Sequence, residues 1–255
     1  MKNLSSLFSK LAIFVLLSML ISGCASRKKV LMLQDISEQS TSINNPGKAS
    51  YHLQKGDNLY IKVYSVDEKT SKFFQSDFPN LMNPTYLFLN SYTIDEKGYI
   101  NVSFIDKLKV EGLTVEEAKN NIQKALNEYF KECTVTVKLV NFQVSVLGEV
   151  NKPGTFTIDK EQINLFQALG LAGGPKDFSN LKKVILVRQT DAGSKAQVLD
   201  ITNLAVLESE YFYLMPNDII YVEPVKAKMA IYGSNTPYIV FSSITSALLL
   251  LSILL

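Results

Sequence analysis

Apolar and polar positions alternate in two long stretches of this chain, and between them the period lengthens to that of a helix. After the turn Lys55-Gly56-Asp57-Asn58, Leu59, Ile61 and Val63 alternate with Tyr60, Lys62 and Tyr64, a period of two that predicts a strand. Residues 65–90 lack a clean period and contain Pro79 and Pro84, so a long loop is expected there. Strands are expected at Tyr92–Ile94 and Tyr99–Phe104, on either side of the turn Asp95–Gly98. Thr114-Val115-Glu116-Glu117 has the spacing of a capping box, in which the hydroxyl and the carboxylate satisfy first-turn amides reciprocally. Val115, Ala118, Ile122, Ala125, Leu126 and Tyr129 then fall on one helical face, and Thr134–Val140 alternates as a strand.

The second stretch opens with strands at Gln143–Val150 and Thr155–Ile158, joined by the turn Asn151–Gly154. Asn164 with Gln167 predicts a capped helix over Leu165–Ala172, stopped by Gly173-Gly174-Pro175. Strands follow at Val184–Gln189, Ala196–Asp200 and Ile219–Val222, an order that suits a β-grasp. Each stretch also holds a turn ending in Asp that runs straight into a strand, at Asp57 and Asp218. An Asp in that position bonds local backbone, and a catalytic acid pair is not expected.

The two ends have a different texture. Lys2 and Lys10 precede the apolar run Leu11–Ile21, which has the form of an export signal over residues 1–23. It ends Ile21-Ser22-Gly23-Cys24 and resembles a lipobox, with cleavage between Gly23 and Cys24. Cys24 is then the site of acylation (palmitate and its like), and two or more acyl chains anchor where one does not. Residues 24–49 are polar and read as a tether. At the other end no charge follows Lys228. Tyr238–Leu255, coiled as a helix, would be about 27 Å long, close to a bilayer's hydrocarbon thickness. A membrane-spanning helix is therefore expected over 229–255. On it Ser242, Ser243, Thr245, Ser246 and Ser252 occupy about half the circumference at about 100° per residue, the side expected to face neighbouring helices or a pore.

Composition narrows the chemistry. The chain has 255 residues, a formal net charge of +2, one histidine, no tryptophan and two cysteines. No dense basic patch suggests nucleic acid. One histidine leaves little room for a hydrolytic triad or a histidine zinc site, and no cofactor is expected. With Cys24 acylated, Cys133 has no disulfide partner and reads as a buried thiol. Tyr211, Tyr213 and Tyr221 offer flat faces on which sugar rings could stack, against the alternative that they fill a core or subunit interface.

Leu53-Gln54-Lys55-Gly56-Asp57, the turn at Asp95–Gly98 and Val110–Ala118 resemble the polysaccharide export domain. Val146–Phe156, Ala168–Gly174 and Leu214–Val222 resemble the SLBB β-grasp domain that follows it. The resemblance implies an outer-membrane lipoprotein that exports capsular or extracellular polysaccharide, without covalent chemistry, as a homo-oligomeric ring. Its implied partner is an inner-membrane polysaccharide co-polymerase. By the same resemblance, Ala25 lacks the acidic signal for inner-membrane retention, which leaves the periplasmic side of the outer membrane. The fold class expected is α+β, with an export domain over 50–141, an SLBB β-grasp domain over 142–226 and the spanning helix. The competing reading is a monomeric glycan-binding lipoprotein. One SLBB copy is fewer than classical members carry, so ring size stays open.

Overall fold

The alternation from Asn58 onward folds as anticipated. In the computed structural model, which describes residues 31–36, 50–65, 84–103, 105–130, 132–190, 193–226 and 241–246, β1 (Asn58–Ser65) is the middle of a three-stranded antiparallel sheet. Its neighbours are β2 (Tyr92–Thr93) and β5 (Cys133–Leu139). Between them come the short helix α1 (Pro84–Leu89), which the aperiodic sequence did not announce, and a ribbon of β3 (Tyr99–Ile100) and β4 (Leu108–Lys109).

Helix α2 (Val115–Asn127) begins where the capping box places it. The Thr114 hydroxyl accepts from the Glu117 amide and the Glu117 carboxylate accepts from the Thr114 amide at 2.8 Å. Ala118, Ile122 and Leu126 are fully buried against Leu59, Val63, Val135 and Val137. Tyr129, assigned to that face from its spacing, is 61% exposed because the helix ends at Asn127 and the period no longer applies. Gln123 binds the helix to the sheet edge: its amide donates to the Cys133 carbonyl at 2.9 Å, and its oxygen accepts from the Val135 amide at 2.8 Å. An edge strand covered in this way offers fewer free backbone groups to other chains. Cys133 is a buried free thiol.

The second unit is a five-stranded sheet in the order β7-β6-β10-β8-β9, built from β6 (Gln143–Gly148), β7 (Gly154–Thr157), β8 (Ser179–Thr190), β9 (Gly193–Leu199) and β10 (Ile219–Pro224). The pairing of β10 with β6 is parallel and the others are antiparallel. Inward residues Val144, Val146, Val184, Leu186, Ile220 and Val222 pack with Leu165, Ala168 and Leu169 of α3 (Leu165–Leu171). Asn164 and Gln167 form the second capping box, and Gly173 and Gly174 end the helix in left-handed conformations. At the end of β6, Gly148 has φ +87, and a Cβ there would run into the Val222 carbonyl and the Tyr221 ring. The close β6–β10 approach therefore requires glycine. A 3-10 helix, Leu204–Glu208, lies between β9 and β10.

The described fold is α+β in character, but the expected membrane-spanning helix is overturned. Among the described residues no helix is long and apolar enough to cross a membrane. Within 229–255 the described residues are 241–246, a helical segment about 9 Å long against a hydrocarbon core of about 30 Å. Four of the six carry hydroxyls, and those of Thr245 and Ser246 turn back to the Phe241 and Ser242 carbonyls. Ser252 and the rest of the tail lie outside the described residues, as do Gly23 and Cys24.

Candidate functional site

The second unit is organised around a buried charge. The turn Met215–Asp218 delivers the Asp218 carboxylate, fully buried, to the inward end of β8. One oxygen accepts from the Met215 amide at 2.8 Å and from Arg188 Nη2 at 2.7 Å, and the other accepts from Arg188 Nε at 3.0 Å. The same guanidinium donates to the Tyr213 carbonyl at 3.0 Å and lies over the Tyr211 ring. Burial pushes the Asp218 carboxyl above its ordinary range, against the pull of the Arg188 fork and the Met215 amide. On the outer side Lys195 also covers the Tyr211 ring. The Tyr211 hydroxyl and Lys195 hold the Glu210 carboxyl below its usual range.

This cluster is closed. Among the described residues no buried side-chain nitrogen or oxygen lacks a partner, so the ion pair presents no open polar group to a ligand. Nor is any group of three or more His, Cys, Asp or Glu placed there to hold a metal ion. Arg188 was missed in the sequence, yet a signal existed. It shares the inward phase of Val184 and Leu186, and a buried arginine demands a carboxylate.

The three tyrosines do not form one platform. Tyr211 is 5% exposed, with its ring between Arg188 and Lys195. Tyr213 is half-buried, edge-on to Phe212. Tyr221 lies on the opposite, outward face of β10, paired with Leu147 of β6 and Ile185 of β8. Ser242, Ser243, Thr245 and Ser246 are exposed on the 241–246 helix.

The outward face around Tyr221 is the second unit's open surface. Leu147, Tyr221, Ile185 and Val198 stand in register across four strands, a row about 14 Å long at the usual strand spacing. Ile219 lies two residues back on β10, beside Ser145 and Val187. Leu147, Val198, Ile219 and Tyr221 are each 38–49% exposed. The Lys183–Glu223 pair at 3.2 Å flanks the row's central members, two residues along β8 and β10 from Ile185 and Tyr221. An apolar row with a charged margin is the anatomy of a protein contact surface.

Comparison with known proteins accounts for both units. Residues 45–140 match the family described as polysaccharide biosynthesis/export protein, and residues 143–222 match the SLBB domain. The matches follow one another and together cover more than half of the chain, which belongs to the polysaccharide export family. A protein of Ralstonia solanacearum named EPS I polysaccharide export outer membrane protein EpsA is 27% identical over 195 residues, 68% of this chain and 48% of the relative. A protein of the same name from Ralstonia nicotianae is 27% identical over 143 residues, 49% of this chain and 34% of the relative. The chain thus spans about half the length, or less, of these curated relatives.

Proposed function

We propose that this chain is an outer-membrane lipoprotein whose copies assemble into a conduit for export of capsular or extracellular polysaccharide. The observation that carries this reading is the succession of an export-family unit and an SLBB unit, matched end to end. The relatives' names supply the outer-membrane setting. Cys24 is the proposed acylation site, on the periplasmic side. The outward row of Leu147, Ile185, Val198 and Tyr221 is the surface we assign to contact between copies. Its exposed apolar members and the charged Lys183–Glu223 pair beside them fit a protein contact. The chain does no covalent chemistry in this reading, and an inner-membrane co-polymerase delivers the polymer.

The monomeric glycan-binding alternative gains no support from the tyrosines, since Tyr211 is buried and Tyr221 faces the other way. Two measurements test the proposal. Loss of the gene should abolish surface polysaccharide, and gently extracted protein should run as an oligomer. Normal polysaccharide in the mutant would overturn the export reading, and a monomer would overturn the conduit.

A further inference from the structure

The stretch after Cys24 reads in sequence as a free tether, but part of it is docked. Residues 31–36 lie along the second unit, although in sequence they precede the first. The Leu33 amide donates to the Ile201 carbonyl at 3.2 Å, and the Gln34 amide donates to the Thr202 carbonyl at 2.7 Å. The Asp35 carboxylate accepts from the Leu204 amide at 2.8 and 3.1 Å, an orphan donor at the start of the 3-10 helix. Met32 and Leu33 pack against the second core. Leu33 adopts φ +49, a left-handed conformation a leucine holds only where its surroundings fix it.

From these contacts we infer that residues 31–36 are a strap that makes the second unit, at its Ile201–Leu204 face, the part of the body held at the membrane surface. The inference rests on the proposed acylation of Cys24. Leu33 is the ninth residue after Cys24, so even fully extended chain allows about 30 Å between them. Without the strap, the next contact with the body among the described residues is that of Tyr51, whose hydroxyl donates to Asp57. That is 27 residues from Cys24 and allows about 90 Å. The strap thus shortens the reach of the anchor about threefold and selects which face meets the lipid.

The test uses full-length, acylated protein in phosphatidylethanolamine–phosphatidylglycerol vesicles that carry an acceptor dye on their headgroups. A donor dye is placed on Glu208→Cys, exposed at the end of the 3-10 helix, or on Glu96→Cys in the exposed turn of the first unit. Native Cys133 is buried and stays unlabelled. Energy transfer should be stronger from position 208 than from position 96. Leu33→Asp with Asp35→Ala should lower transfer from position 208 about twofold or more by freeing the tether. Because that variant could loosen the second core, ten Gly/Ser residues inserted after Lys29 provide a second arm, leaving the strap docked while lengthening the leash. Transfer should fall there too, at unchanged thermal stability. Equal transfer from both positions, or transfer indifferent to the insertion, overturns the strap while leaving the export reading intact. Absence of acyl labelling on the same protein overturns the lipoprotein reading and the strap's membrane role with it.

Discussion

Asp57 and Asp218 close the same turn in the two units, yet each carboxylate is satisfied by a different chemistry. In Gln54–Asp57 and in Met215–Asp218 the third residue, Gly56 or Asn217, has positive φ. The Asp amide donates to the first residue's carbonyl, at 3.1 and 3.2 Å, and the Asp carboxylate accepts from the first residue's amide, at 2.9 and 2.8 Å. Lys-Gly and Pro-Asn at the middle positions fit a turn that needs a left-handed third residue. Each turn then starts a strand. Gly56 and Asp57 both pair with Ile94, an antiparallel start, whereas Asn217 and Asp218 pair with Gln143 and Ser145, a parallel one. Beyond the turn the likeness ends. Asp57 receives the neutral Tyr51 hydroxyl at 2.7 Å and the Asn141 amide at 3.4 Å, while Asp218 receives the guanidinium fork of Arg188. The local device is reusable, and the partner is set by what the surrounding core leaves beside it. At Asp218 that is the inward end of β8. At Asp57 it is the junction between the units.

The sharpest way to break the comparison is to remove the partners. Arg188→Ala leaves the fully buried Asp218 without its counter-charge and should cost about 3–5 kcal/mol of unfolding free energy, measured in urea. Replacing both members, Arg188→Met with Asp218→Leu, should cost much less than the single change, because no charge is then buried alone. A double variant as unstable as Arg188→Ala would mean that the pair's geometry, not its charge balance, holds the turn. At the other turn Tyr51→Phe removes one neutral donor and leaves the Gln54 amide in place. The expected loss is about 1 kcal/mol, read in the same urea titration.

The difference between the turns also marks what could be read in sequence. Both Asp turns, both capping boxes and the Gly173-Gly174 stop were legible, because each is decided by residues within four positions of one another. Arg188 as the partner of Asp218 was not, since 30 residues separate them, although its inward phase on β8 was a usable clue. The strand expected over Tyr99–Phe104 is met by β3 at Tyr99–Ile100, whereas β4 and α1 are too short to leave a period. The docked strap was hidden by its polar flanks, with only Val30-Leu31-Met32-Leu33 hinting at burial. The tail failed for a different reason. An uncharged run fixes how long a helix could be, not where one forms.

The smallest effects concern pH, and they run in opposite directions. Burial raises the Asp57 carboxyl above its ordinary range, more than its hydrogen bonds from Gln54, Tyr51 and Asn141 lower it. Its contribution to stability is complete below the unfolded pKa of about 3.9 and is lost as pH rises through the higher folded value. Asp57→Asn keeps an acceptor in the turn and should remove that decline, which unfolding midpoints between about pH 3 and 6 would show against wild type. Glu117 has the reverse sign. The Thr114 amide and hydroxyl hold its carboxyl below the ordinary range, so its contribution is present above the unfolded pKa of about 4.3 and fades as pH falls through the depressed folded value. Glu117→Gln preserves the box's hydrogen-bonding shape but cannot titrate. It should leave the neutral-pH midpoint nearly unchanged and flatten only the acid limb. If both variants flattened the same limb, the buried turn and the exposed cap would be titrating alike, and the contrast between burial and hydrogen bonding as causes would not hold.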